Sequence, residues 1–184
     1  MATIEIINEP RYSFGSSDNA RRYSVELDLS GDYRPSSAHG VMIDGDPVAV
    51  IGAGGGATGV HSNTLLEING CAYVAVGPYI VCFGTAPFEF HWSLEADSAT
   101  CFGLYYHKPT GSLISHGELE IARFNSSGKV LWSASGADIF TEGFSLQRDH
   151  IEVVDFNGEV YHFGYDDGHV MAQPRIPADA SQRR

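Results

Sequence analysis

The sequence predicts an all-β fold, mainly antiparallel, with two packed sheets (a sandwich or a partly closed barrel) assembled from blade-like four-stranded units. Three observations predict it. Glycine is abundant, at 21 of 184 residues, and aromatic residues make up 11%, a balance that favours strands and tight turns over helices. No long segment shows helical periodicity. Short apolar runs recur instead, several of them closed by Asn-Gly, Asp-Gly, Gly-Pro or Ser-Gly.

Taken in order, Ile4 to Ile7, Arg22 to Leu29, Val41 to Ile43 and Val48 to Ile51 read as strands. Asp44-Gly45-Asp46-Pro47 turns between the last two, and Ser16 to Arg21 suits a short turn of helix. In the middle section, Leu65 to Ile68, Ala72 to Val76, Tyr79 to Phe83, Phe88 to Leu94 and Cys101 to Tyr106 are strands. Asn69-Gly70 and Gly77-Pro78 punctuate them. Further on, Leu119 to Phe124, Lys129 to Ser133, Phe144 to Leu146, Ile151 to Phe156 and Glu159 to Tyr165 complete the set. Asn157-Gly158 suits a two-residue type I′ hairpin. That turn pairs Val154 with Tyr161 and Glu152 with Phe163, leaving Ile151, Val153, Val160 and His162 on the opposite face. Both faces carry large apolar groups, so the strands are expected to pack on both sides. Residues 1–171 are expected to form a single all-β domain, with 172–184 a flexible C-terminal tail.

Composition narrows the function. The formal charge is −12, from 11 basic and 23 acidic residues, and the two lysines are Lys108 and Lys129. Phosphate backbones are bound by neutralising them with Lys and Arg, so nucleic acid is not an expected partner. An anionic membrane surface is disfavoured for the same reason. Cys71, Cys82 and Cys101 lie in apolar segments without C-x-x-C spacing. An odd count of this kind suits reduced thiols and a cytoplasmic setting.

Gly52-Ala53-Gly54-Gly55-Gly56-Ala57 follows a strand and matches G-x-G-x-x-A. The pattern serves a dinucleotide only when a helix N-terminus stands behind it to meet phosphate. Thr58 to Thr64 is a poor helix, being β-branched, glycine-containing and turn-prone. Extended chain after Gly56 is therefore expected, and no cofactor. An anion-binding nest of backbone N–H groups and a true dinucleotide site at Gly52–Ala57 are the two alternatives.

Phe88-Glu89-Phe90-His91-Trp92 and Gly128-Lys129-Val130-Leu131-Trp132 form an internal echo. Each strand ends in tryptophan, then an acid (Asp97, Asp138), then an aromatic (Phe102, Phe140). Residues 119–168 resemble a single blade of a quinoprotein-type β-propeller. The likeness rests on Phe124-Asn125-Ser126-Ser127-Gly128-Lys129-Val130-Leu131-Trp132, on the strand pair around Asn157-Gly158, and on Tyr165-Asp166-Asp167-Gly168. It implies a tryptophan packed between blades, and it brings no quinone cofactor. The chain is too short for the blades a closed propeller usually needs. Gly54 to His61, Cys101-Phe102-Gly103, Ser115 to Ile121 and Gly136 to Phe140, in that order, also resemble a family of small uncharacterised bacterial β proteins, a likeness that carries no activity.

The candidate ligand-binding residues are Gly54, Gly55, Gly56, Thr58, His61, His116, Glu118 and Asp138. His116 and Glu118, two apart on a strand, would share a face and could hold a divalent metal with a third ligand. His61, His91, His107 and His162 are possible thirds. Local hydrogen bonding at a strand end is the plainer role for His116 and Glu118, and turn capping or pairing with Arg123 for Asp138. The first expectation for function is a non-catalytic cytoplasmic module whose acidic surface binds a basic protein partner, as toxin-neutralising immunity proteins do by analogy only. The alternatives are a small-molecule or metal site at the glycine loop with His61, His116 and Glu118, enzymatic or not, and dinucleotide binding at Gly52–Ala57. A homo-oligomer is compatible with all three.

Overall fold

The computed structural model describes residues 2–171; the expected tail at 172–184 lies outside them. Fifteen strands form four sheets. The first holds β1 (Ile4–Asn8), β2 (Val25–Asp28), β3 (Ser37–Ile43) and β4 (Asp46–Ala53) in the order β1-β3-β4-β2. The second is the meander β5 (Leu65–Ile68), β6 (Cys71–Val76), β7 (Tyr79–Thr85), β8 (Phe88–Glu95). The third is the meander β9 (Cys101–His107), β10 (Ser112–Gly117), β11 (Ile121–Phe124), β12 (Val130–Ala134). The fourth is β13 (Phe144–Leu146), β14 (His150–Val154), β15 (Val160–Gly164), with Val170 bridging to Phe163 where a fourth strand would begin. Among the described pairings only β2–β4 is parallel. Among the described residues the single helical element is a 3-10 turn at Lys108–Thr110, and Ser16 to Arg21 forms turns instead, held by the Asn19 amide on Ser13 and Ser16.

The sheets number four rather than two, and they do not close into a barrel. They stack face to face, each interface filled by the inward positions of two neighbours. Ile4, Val41 and Ile51 meet Val74, Val81 and Phe83 between the first and second. Tyr73, Ile80 and Cys82 meet Leu104, Leu113 and Phe124 between the second and third. Ile114, Ile121 and Trp132 meet Ile151, Val153 and Phe163 between the third and fourth. Full burial of each such side chain stabilises by about 1.5–3 kcal/mol. A sheet sandwiched between two others is apolar on both faces, which is the pattern the sequence displays.

Turn chemistry sets the registers. Asp44-Gly45 and Asn69-Gly70 take positive φ at both positions (53° and 88°, 52° and 80°), as a two-residue I′ hairpin requires. The turn after β14 is different, and it corrects the expected pairing. Asp155 Oδ1 accepts the N–H groups of Asn157 and Glu159, and the Asp155 N–H donates to Glu159 O. The loop is thus three residues, Phe156 to Gly158, with only Gly158 at positive φ (82°). Val154 pairs with Val160, Val153 with Tyr161 and Glu152 with His162. One residue of slip exchanges the faces of a strand, so His162 lies with Glu152 and not with Ile151.

The tryptophan echo is a structural repeat. Trp92, on the edge strand of the second sheet, donates Nε1–H to Ser126 O in the turn of the third (3.1 Å). Trp132, on the edge strand of the third, donates to Tyr165 O in the turn of the fourth (2.8 Å). Each indole lies over a glycine, Gly128 or Gly168, where a Cβ would come within 2.8 Å or 2.5 Å of the ring.

Candidate metal centre

No helix follows the glycine loop: residues 54–64 are irregular and β5 starts at Leu65. The glycines let the loop pack closely against Ser30, Pro78 and the Ala99-Thr100 connection between β8 and β9. The Gly56 N–H donates to Ala99 O (3.0 Å), and a side chain there would collide with Thr100. Gly55 sits at φ 77° against Ala99 O and Pro78, while Gly54 lies over Ser30. Thr58 is a tie between sheets: its N–H donates to Ser37 Oγ (2.8 Å) and its hydroxyl accepts the Gly77 N–H (2.9 Å). Thr58 O and Ala75 O flank the ring of fully buried His39, whose pKa burial pushes down.

His116 is stacked on Phe144 (4.6 Å, 15°) with Nε2 3.2 Å from Phe140 O, and burial holds its pKa down to about 4. A ring so placed is neutral and donates to that carbonyl. The β9–β10 ladder shifts between His116 and Gly117, where β10 ends, so Glu118 lies beyond the strand that was expected to carry both. The Glu118 backbone accepts from Phe140 and donates to Thr100 O. His61 Nδ1 accepts the Asn63 N–H (3.2 Å). Asp138 caps a turn, accepting the Ile139 N–H (2.8 Å) and the Asn157 amide (2.6 Å). Arg123 is not its partner: that guanidinium donates to Ser112 Oγ, Tyr165 O and Asp166 O. Among the described residues, His61, His116, Glu118 and Asp138 join no group of three metal-ligating atoms.

A different trio does. His150, Glu152 and His162 bring one ligand atom each within 4.8 Å of one another. Strand alternation explains the convergence. His150 and Glu152 are two apart on β14, and His162 stands directly across from Glu152 on β15. Gly164 is the partner of His150 and adds no side chain there. The face is the one turned away from the third sheet, since Ile151, Val153 and Phe163 fill the interface on the other side. Glu152 Oε2 lies 3.3 Å from His162 Nε2, and the two histidine rings sit 4.2 Å apart.

His150 carries the detail an ion pair does not explain. Its Nδ1–H donates to Asp149 Oδ1 (2.8 Å), and its buried Nε2 has no hydrogen-bond partner among the described residues. The carboxylate fixes the tautomer, so the free nitrogen presents a lone pair. An outer carboxylate orienting a ligating imidazole in this way is the usual support of a metal-bound histidine. Two imidazoles and a carboxylate suit zinc or another first-row divalent ion, with a coordination position left open. The trio was hidden in the sequence by the misplaced turn, which assigned Glu152 and His162 to opposite faces; the H-x-E spacing and the pairing across Asp155–Glu159 would have exposed it.

No protein-family model matches the chain, and no curated protein matches it in sequence. Solved structures match in fold. BamB from Moraxella catarrhalis, a β-propeller protein, aligns at TM-score 0.54 and 16% identity over 82% of this chain. This chain spans about half of that one (50%). The computationally designed Ika8 protein aligns at TM-score 0.53 and 10% identity, covering 73% of this chain and 42% of that one. The designed Ika4 protein gives 0.52 and 9%, covering 65% and 78%. Identities this low speak to architecture alone: the four stacked sheets are blade-like units similar to those of β-propellers.

Proposed function

We propose that this chain is a metal-binding β protein that holds a divalent first-row transition metal through His150, Glu152 and His162. The observation that carries the reading is the convergence of ligand atoms of His150, Glu152 and His162 within 4.8 Å of one another, beside a buried His150 Nε2 that has no hydrogen-bond partner among the described residues. Elemental analysis and zinc titration calorimetry of protein purified without a histidine tag test it. One equivalent is expected to disappear in His150→Ala and in His162→Ala, and Asp149→Asn to weaken binding about 10–100-fold. Identical zinc content in wild type and the His150→Ala/His162→Ala double variant would overturn the reading.

The module that docks a basic protein partner is a second reading. Supporting it are the formal charge of −12 and the exposed Phe90, Val130 and Leu131 on the outer edge strands β8 and β12. Edge strands with apolar side chains invite pairing. A partner held at low ionic strength, released by salt and lost in Leu131→Glu is the expected result; a complex indifferent to both changes would refute it. A cytoplasmic setting belongs to this reading and rests on the three free cysteines. No helix among the described residues is long and apolar enough to cross a membrane.

A further inference from the structure

Between the second and third sheets, Cys71, Cys82 and His91 converge with their ligating atoms within 4.8 Å of one another. A β-bulge makes this possible. Cys82 pairs with Trp92 but Phe83 pairs with Phe90, so His91 is the extra, unpaired residue of β8. A bulge re-aims the side chain it carries. Here it brings the imidazole to the face where Cys71 and Cys82 pack toward the third sheet. Gly84 leaves the ring its space, since a Cβ there would lie 3.4 Å from His91 Nε2.

The two sulfurs lie 3.9 Å (Cys71) and 3.8 Å (Cys82) from one and the same atom, His91 Nδ1. A single ring nitrogen has one lone pair and serves two thiol donors poorly. A metal inside the triangle satisfies all three atoms. With Zn–S near 2.3 Å and Zn–N near 2.0 Å, the sulfur–nitrogen edge of a tetrahedral site is about 3.5 Å, so both separations need to shorten by only a few tenths of an ångström. We infer that Cys71, Cys82 and His91 form a second, thiolate-rich site for zinc, independent of the histidine–carboxylate trio. Both thiols bind as thiolates, each releasing one proton to solvent. The fourth position is left to water or an exogenous ligand. Cys71 also lines a cavity of about 280 Å³ with Tyr73, Tyr106, Leu113 and Ser126, from which such a ligand could approach.

Cobalt(II) reports on this site separately from the other, because only thiolate ligands give an intense near-ultraviolet charge-transfer band. The experiment uses the full untagged chain, kept reduced with a phosphine, in the His150→Ala/His162→Ala background. One equivalent of cobalt is expected to produce the band, zinc to bleach it, Cys71→Ser to abolish it, and His91→Asn to weaken cobalt binding at least tenfold. Circular dichroism establishes that each variant is folded. Absence of the band at saturating cobalt in folded, reduced protein overturns the inference, as does a band undiminished in Cys71→Ser. So does a Cys71–Cys82 disulfide in oxidised protein with no cobalt band in reduced protein, since the pair would then be a redox couple. None of these results bears on zinc at His150, which is read from the single-site histidine variants.

Discussion

Burial sets the protonation of individual side chains, and His116 is the clearest case. Its ring is stacked on Phe144, and its pKa is held down to about 4 by desolvation. An unfolded histidine titrates near 6.5. As pH falls, the unfolded chain therefore takes up this proton first. The stability His116 contributes is fully present above about pH 7 and is lost progressively between about 6.5 and 4. The slope is up to about 1.4 kcal/mol per pH unit, about 3 kcal/mol over the window. His39, whose pKa is also lowered by burial, acts in the same direction. Urea midpoints at about pH 7.5 and pH 5 should separate clearly in wild type and less in His116→Gln; equal separations would place the effect elsewhere. Cysteine reactivity follows the same logic. Burial pushes Cys101 and Cys82 up to about 12, and both are 1% exposed. Mass spectrometry after brief alkylation of native protein should find label on half-buried Cys71 alone, and prior zinc loading should protect it.

At the scale of elements, the repeated tryptophan–glycine contact locks one sheet to the next. Trp132 covers Gly168 and shares the Tyr165 carbonyl with Arg123, as Trp92 covers Gly128. Gly168, Gly128 and Gly158 all hold positive φ (69°, 80°, 82°), but only the first two have an indole where a Cβ would go. Alanine at Gly158 should cost about 1–2 kcal/mol from backbone strain alone. Alanine at Gly168 or Gly128 should cost clearly more, because the indole must shift as well. Denaturant unfolding of the three variants checks the order, and equal losses would mean that the tryptophans do not lock the sheets. The echo of Trp92 and Trp132 was legible in the sequence because bulky residues and turn glycines recur at a fixed spacing. The register of β14 and β15 was not. Asn157-Gly158 resembles a I′ turn, and the competing interaction is the Asp155 carboxylate on two backbone N–H groups, a side-chain effect that adds one residue to the loop. That residue decided whether the metal-ligating trio could be seen. The sequence offered His91 only as a possible third ligand for His116 and Glu118; its place beside Cys71 and Cys82 was not legible, since strict alternation puts it on the face away from Trp92 and nothing local announces a bulge.

At the scale of the molecule, periodicity identified strands with two apolar faces but could not count sheets, because a sandwich and a stack present the same local pattern. The ends of the stack differ in kind. Tyr12, Phe14 and Tyr23 cover the outer face of the first sheet, with Glu26 and Glu9 accepting from the two tyrosines. The outer face of the fourth carries His150, Glu152 and His162. This arrangement makes metal binding and global stability two linked quantities of opposite sign at one residue. The Nε2 of His150 has no partner among the described residues, and a nitrogen left so would cost the metal-free fold about 1–3 kcal/mol. Ligation satisfies it, and zinc at about 100 times its Kd adds roughly 2.7 kcal/mol. For a chain of this size that is a rise of about 5–10 °C in Tm. His150→Phe keeps a ring in place and removes the orphan nitrogen. Calorimetry should then show a variant at least as stable as wild type in chelator and unresponsive to zinc at the fourth sheet, whereas wild type gains the full increment. With the Cys71→Ser change in both proteins, the thiolate site no longer contributes and the comparison isolates the trio. A His150→Phe protein that is less stable than wild type in chelator by clearly more than about 1 kcal/mol, the worth of its lost Asp149 hydrogen bond, would mean that Nε2 already has a partner, and the case for a metal there would fall with it.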